Sequence, residues 1–439
     1  MSTRRRYALV GTGARAQTFV RAITDHTAGA ELVALADTNA TRVQAHNRML
    51  VERGAAAVPA YAAADVALML KQERVDTLVV TTVDHAHDDY IVAAVDAGCD
   101  VITEKPMTTD APRCRRILDA VRRTGREVTV SFNYRYNPVH ERVRELLASG
   151  AVGEIGSIHF EWLLDVRHGA DYFRRWHRDK ANSGGLMVHK SSHHFDLVNW
   201  WIGAVPEQVH ALGRLFFYGD EAGRRHGYAR DYERAHASAA AGSDPFAVSL
   251  ADNPQLRALY LDAEHEDGYH RDQNAFGPGV TIEDDMAVLV RYSTGATMTY
   301  HLTAYSPWEG YRVMFNGSRG RLELEVVEND HVRPRSGTAT STAALHGADA
   351  PAEAGSVRLT LHPFWAPREE IAVPHLDTGH GGADDRMTAR LFGTDSTEDP
   401  LRRTATARDG ALALLTGLAA NQSFVTGTPT AVADLLDLR

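Results

Sequence analysis

Between Gly184 and Trp201 the chain places His189, Lys190, His193, His194 and Asp196 close together. In a helix, His189, His193 and Asp196 stand at i, i+4 and i+7, on one face. Lys190 and His194 form a neighbouring stripe, while Phe195, Val198 and Trp201 supply apolar contacts elsewhere. Imidazoles on a helix apolar enough to be buried predict the wall of a pocket, where histidine serves as acid or base near neutral pH. Two histidines at i, i+4 also suit a metal. HExxH is absent and no third ligand stands nearby, so no metal is expected. His194 has an alternative reading as a satisfied core histidine.

Glu104-Lys105-Pro106 follows the apolar run at 101–103. Strand ends of a doubly wound sheet face the ligand crevice. A lysine there can hydrogen-bond a reacting hydroxyl and steady developing negative charge. Read alone, the Glu-Lys pair also fits a surface ion pair. Earlier in the chain, Gly11-Thr12-Gly13-Ala14-Arg15-Ala16 follows a short apolar strand and opens a helix. The two glycines permit a tight turn and close approach to a pyrophosphate. Ala16 lets helix pack on strand, and the helix N-terminus faces the phosphates. Asp37 ends the next strand. It is placed to accept hydrogen bonds from the adenosine ribose and to repel a 2′-phosphate, which predicts NAD rather than NADP. Arg42 lies close enough to leave some NADP tolerance open.

The elements that carry these residues follow from periodicity. Strands are expected at 7–10, 31–37, 75–82, 101–103 and 127–132. Helices are expected at 16–24, 65–71, 88–97 and 110–123, with Gly98 closing the third and Asp110 capping the fourth. That alternation predicts an α/β fold with a doubly wound parallel sheet over 1–132. From 133 to 439 a helix at 138–149 precedes alternating strands at 155–164, 208–217, 286–292, 297–302, 312–316 and 322–327. They predict an α+β domain with an open, mostly antiparallel sheet. A long polar stretch at about 219–278 reads as an insertion that caps the substrate pocket or packs on a neighbouring subunit. Residues 332–355, rich in Ser, Thr, Ala and Gly, read as a mobile surface loop. The end, 404–421, has helical spacing.

Composition sets outer bounds. At 439 residues with 44% apolar and 24% charged side chains, two globular domains are expected. The two cysteines, Cys99 and Cys114, form no CxxC and suggest a reducing compartment. A formal charge of -10 argues against a nucleic-acid partner. Arg4, Arg5 and Arg6 precede an apolar stretch too short for an export signal, and no segment has the apolar length of a membrane helix. A cytoplasmic location without membrane attachment is expected.

Taken together, the motifs resemble those of the Gfo/Idh/MocA oxidoreductases, the glucose–fructose oxidoreductase and inositol dehydrogenase type. The matching features, in order, are Gly11-x-Gly13-x-x-Ala16, Thr82-x-x-His85-x-His87, Glu104-Lys105-Pro106, Tyr134-Arg135-Tyr136-Asn137-Pro138 and Gly184-Gly185…His193-x-x-Asp196. The resemblance implies a Rossmann domain followed by an α/β domain whose open sheet often builds oligomers, so a homo-oligomer, dimer or tetramer, is expected. It implies NAD held by Gly11, Gly13, Ala14, Arg15, Asp37, Thr82, His87, Glu104 and Lys105. It makes Lys105 the motif lysine and His193 the catalytic histidine. Members commonly carry an aspartate four residues before that histidine, where this chain has His189. Many carry proline where this chain has Val83.

The leading expectation is hydride transfer between NAD and a hydroxyl of a sugar, cyclitol or glycoside. His193 removes the hydroxyl proton, Lys105 steadies the alkoxide-like state, and His189 tunes His193 or acts as a separate base. Arg135, Tyr136, Lys190, His193 and His194 are the expected substrate contacts. Relatives that are NAD-dependent glycosidases imply a second reaction, with transient oxidation at C3, elimination and return of the hydride. His189 or Tyr136 would supply its extra acid/base group. A third reading is a non-catalytic NAD-bound redox sensor with a protein partner, which would not need the polar cluster. Arg167, His168, Arg174, Arg175, His177 and Arg178 add positive charge near the motifs. They either face solvent or hold an anionic sugar, carboxylated or sulfonated (a sulfoquinovoside for the glycosidase reading).

Overall fold

Strand Thr77–Val80, and strand Arg5–Val10 from Tyr7 onward, are buried on both faces, which is why these stretches do not alternate apolar with polar. They lie side by side at the centre of a seven-stranded sheet in a computed structural model that describes residues 4–332, 355–373, 382–394 and 397–438. Outward from Arg5–Val10 on one side come Ala30–Asp37 and Ala60–Ala62. Outward from Thr77–Val80 on the other come Asp100–Thr103 and Val128–Val130. All of these pair in parallel. The strand order reverses between Arg5–Val10 and Thr77–Val80. Their carboxyl ends open a crevice there, the usual ligand position in such sheets. Helices cover both faces. One of them, Ala40–Glu52, is not among the sequence expectations. Helix Ala111–Thr124 starts where Asp110 accepts from the Arg113 amide at 2.8 Å, as expected for its cap.

The second sheet has nine strands and is antiparallel except where Thr297–Ser306 runs parallel to Ile155–Asp165. Its strands alternate. In Asp285–Tyr292, Met286, Val288, Val290 and Tyr292 are buried, while Ala287, Leu289 and Arg291 face out. Two of its strands, Ser356–Pro363 and Glu369–Ile371, lie beyond the last strand expected from sequence. The surface loop expected at 332–355 falls almost wholly outside the described residues.

The polypeptide does not divide cleanly at residue 132. Ala405–Thr406 returns as an antiparallel strand beside Val128–Val130 and completes the edge of the first sheet. Helix Ala383–Phe392 packs on the same domain, with the Phe392 ring 5.0 Å from that of Tyr7. The insertion also crosses over. It folds from short helical turns, with one isolated bridge between Arg234 and Gln273 among its described residues. Val248, Leu250, Leu256, Leu259 and Tyr260 form a small apolar cluster in it, against which Ala14 and Ala45 of the first domain pack.

Candidate active site

A cleft of about 440 Å³ runs from the carboxyl ends of the first sheet to the helices of the second domain. At one end is the glycine turn. Gly11 has φ +91°, and a Cβ there would stand 2.5 Å from the Thr82 amide nitrogen and 2.7 Å from the Thr81 carbonyl oxygen, so only glycine fits. A Cβ on Gly13 would meet only the Tyr260 hydroxyl, at 3.6 Å, which leaves that backbone open to the cleft. Asp37 is fixed in place. It accepts from the Thr12 amide at 2.5 Å and hydroxyl at 2.9 Å, and from the Asn39 amide at 2.9 Å. A narrow glycine turn at a switch point, with an oriented carboxylate at the end of the second strand, fits a nicotinamide dinucleotide.

Gly11, Gly13, Ala14, Arg15, Asp37, Thr82, Glu104 and Lys105 all line the cleft. Arg15 and Glu104 are bonded to each other at 2.7 Å, and Arg15 also grips Asp384 at 2.8 and 3.1 Å. His87 is a correction. It is fully buried, with its ring nitrogens 2.9 Å from the Pro106 carbonyl and 3.2 Å from the Thr82 carbonyl. Burial lowers its pKa, against the pull of the two carbonyls, and the ring sits between two strand-end loops instead of lining the cleft.

At the other end stand Lys105, His189, Lys190 and His193. The expected continuous helix is broken: Leu186–His189 and Ser191–Ile202 are separate elements joined at Lys190. His193 still faces the cleft. Its ring stacks on Tyr134 at 4.5 Å, with the Phe132 edge at 5.8 Å, which fixes the imidazole plane. Lys105 Nζ donates to the His189 carbonyl at 2.9 Å. Burial pulls its pKa down to about 8, against the opposing pull of Asp84 and Glu104. His189 Nδ1 lies 2.5 Å from Asp84 Oδ2; with Asp84 ionised, Nδ1–H donates to it and the basic lone pair is on Nε2. Burial raises the pKa of Asp84 from its ordinary value, while the charge of Lys105 favours the carboxylate.

Three expected substrate contacts lie elsewhere. Arg135 is 3% exposed and forms a bidentate pair with Asp196, at 2.8 and 2.6 Å. That pairing also takes Asp196 away from the face of His193. Tyr136 directs its hydroxyl to Thr404 Oγ1 at 3.3 Å, outside the cleft, so it cannot serve as the glycosidase acid/base group. His194 stacks on Trp162 at 4.0 Å and bonds the Tyr300 hydroxyl at 2.6 Å, which makes it a core histidine. Tyr134, neighbour to both expected contacts, lines the cleft instead.

The basic run divides in the same way. His168, Arg175 and His177 line the cleft. Arg174 and Arg178 anchor the insertion, through the Phe246 carbonyl at 2.6 Å and the Pro278 carbonyl at 2.7 Å. Arg271, from the insertion, joins Arg175 in the cleft, and both guanidiniums face one carboxylate, Asp171, at 3.7 and 2.6 Å. Buried Lys190 lies 4.9 Å from the Trp162 ring centre and donates to the Tyr134 hydroxyl at 3.3 Å. The substrate end is therefore rich in cations. Sequence reasoning missed Asp84, Tyr172, Trp176, Tyr260, Asp267, Tyr269 and Arg271 as lining residues. The end of strand Thr77–Val80 was the one available signal for Asp84.

Among the described residues, no group of three or more His, Cys, Asp or Glu could hold a metal ion, and no helix is long and apolar enough to cross a membrane. Cys99 and Cys114 are buried free thiols.

Comparison with known proteins agrees with this geometry. Residues 5–132 match the oxidoreductase family with an NAD-binding Rossmann fold (Gfo/Idh/MocA), and residues 144–432 match its C-terminal alpha/beta domain. YteT of Bacillus subtilis (strain 168), described as an oxidoreductase, is 33% identical over 387 residues, 84% of each chain. Inositol 2-dehydrogenase of Rubrobacter xylanophilus is 28% identical over 211 residues, 47% of this chain and 54% of that one. The WlbA dehydrogenase of Bordetella pertussis, solved with NADH and UDP-GlcNAcA, shares the fold with a TM-score of 0.63 at 20% identity, covering 100% of both chains.

Proposed function

The chain belongs to the Gfo/Idh/MocA family of NAD-binding oxidoreductases, and on that footing we propose that it oxidises a hydroxyl of a sugar or cyclitol. The observation that carries the proposal is the convergence of Lys105 and His193 on one cleft that also holds the glycine turn and Asp37. NAD, when bound, supplies the hydride acceptor. His193 takes the hydroxyl proton, its plane held by Tyr134 and Phe132. One N–H of Lys105 is anchored on the His189 carbonyl, and another donates to the substrate oxygen as negative charge develops there. The Asp84–His189 pair positions that carbonyl and the charge around it.

A second feature narrows the substrate. Arg175, Arg271 and Lys190 are 14%, 2% and 4% exposed in side chain or residue, and Arg175 and Arg271 both face Asp171. Buried cations grouped in this way favour a substrate with a carboxylate or sulfonate. The kinship with inositol dehydrogenases supports a polyol ring as the body of that substrate.

The test is incubation of purified protein and NAD with a panel of cyclitols, aldoses and uronates. Net NADH from at least one is expected. Consumption of a glycoside without net NADH would favour the redox-neutral glycosidase, with His189 as its additional base. Dinucleotide binding with no substrate turned over would favour the sensor.

A further inference from the structure

The insertion reaches the adenosine end of the dinucleotide cleft as well as its middle. Helix Ala40–Glu52 begins three residues after Asp37, with its first amides beside the carboxylate expected to read the ribose. Helix N-termini and nearby arginines are the groups that bind a 2′-phosphate in such folds. In this chain each of them already holds a carboxylate from the insertion. Glu266 accepts from the Ala40 amide at 2.6 Å, the Thr41 amide at 2.9 Å and the Thr41 hydroxyl at 2.5 Å. Asp267 pairs with Arg42 at 2.6 Å, and Arg42 also donates to the Leu259 carbonyl at 3.0 Å.

We propose that Glu266 and Asp267 are specificity-determining residues that occupy the 2′-phosphate position and make the chain prefer NAD to NADP. The inference rests on the reading that the adenosine ribose lies at Asp37. Asp37 alone would repel a phosphate. The two insertion carboxylates add to this by occupying the Ala40 and Thr41 amides and Arg42 Nη1, so a phosphate would have to displace them. Arg42, on its own a residue that tolerates NADP, is turned into part of the exclusion.

The insertion is held at this place independently of the two acids. Leu256 and Leu259 are buried in its apolar cluster, and the Tyr260 hydroxyl accepts from the Ala14 amide at 2.9 Å. Removing the charges therefore need not release the segment. The Glu266 contacts are solvent-exposed, which limits their strength.

The experiment compares NADH and NADPH binding to the full-length wild type and the Glu266→Gln/Asp267→Asn variant, with ADP and 2′,5′-ADP as truncated probes. The variant is expected to raise the NADPH-to-NADH affinity ratio about tenfold, the order expected from removing two negative charges beside the phosphate position. The ADP probes should follow the same trend. A ratio within about twofold of wild type would overturn the proposal and leave the two acids as docking contacts. If the double variant does not fold, Glu266→Gln alone must still raise the ratio severalfold. The readout is binding, so it does not depend on which substrate is oxidised. A wild type that binds neither dinucleotide would instead refute the reading beneath it.

Discussion

Asp84 and His189 meet at 2.5 Å across 105 residues of sequence. The family resemblance calls for an aspartate at the position of His189, and this chain supplies the carboxylate from the opposite domain instead. His189 thereby meets Asp84 with its imidazole and Lys105 with its carbonyl. Asp84→Asn should therefore lower kcat by roughly 10²-fold while leaving NAD affinity near that of wild type. Steady-state kinetics beside NADH titration would check both, and a loss confined to KM would argue for substrate contact by Asp84 itself.

The same carboxylate bears on the alkaline limb of activity, which follows Lys105. Lys105 ionises near pH 8, and the charge on Asp84 raises that value against the cost of burial. Protonated Lys105 is the donor form, so kcat/KM should fall as pH rises through about 8. Asp84→Asn removes a group that holds the proton on, so the limb should move to lower pH. A profile that rises through pH 8 would make Lys105 a base.

Lys105→Met should keep dinucleotide binding and reduce turnover about 10²–10³-fold, the usual loss for one donor to a developing oxyanion. Stopped-flow measurement of the hydride step distinguishes this from slowed product release. A near-normal rate would make Lys105 structural.

Arg175 and Arg271 should matter in proportion to substrate charge. Arg271→Gln is expected to reduce kcat/KM for a uronate more than for the matched neutral sugar. Raising salt should narrow the wild-type preference only slightly, because both guanidiniums are largely buried. Equal losses on both sugars would remove the support for an anionic substrate.

Arg135 should behave as a core residue. Arg135→Met strands the buried Asp196 carboxylate and should cost about 3–5 kcal/mol of stability, with less effect on the kcat of the folded fraction. Urea unfolding followed by active-site titration separates the two. A selective rise in KM without loss of stability would return Arg135 to the substrate site.

Much of the first domain was legible because its signals are local: the glycine turn, the buried apolar strands and Asp37 all lie within one βαβ unit. Lys105 and His193 were legible from motif spacing. The failures share one physical origin. Arg135, Tyr136 and His194 sit beside cleft residues in sequence, but a tight turn at Asn133–Tyr136 and a helix buried on all sides send neighbouring side chains in different directions. Tyr134 enters the cleft while Arg135 turns to Asp196. Asp84, Arg271 and Glu266 act only through tertiary contacts, for which no periodicity in the sequence gives a sign.

The returning strand Ala405–Thr406 has a consequence for how the protein comes off the ribosome. The edge it covers at Val128–Val130 is translated long before its partner. Until that partner emerges, the nascent first domain exposes the edge's unpaired amides and carbonyls, a template for pairing with other chains. Fragments ending near residue 132 should therefore self-associate, and the edge is covered only once residues 405–406 have emerged.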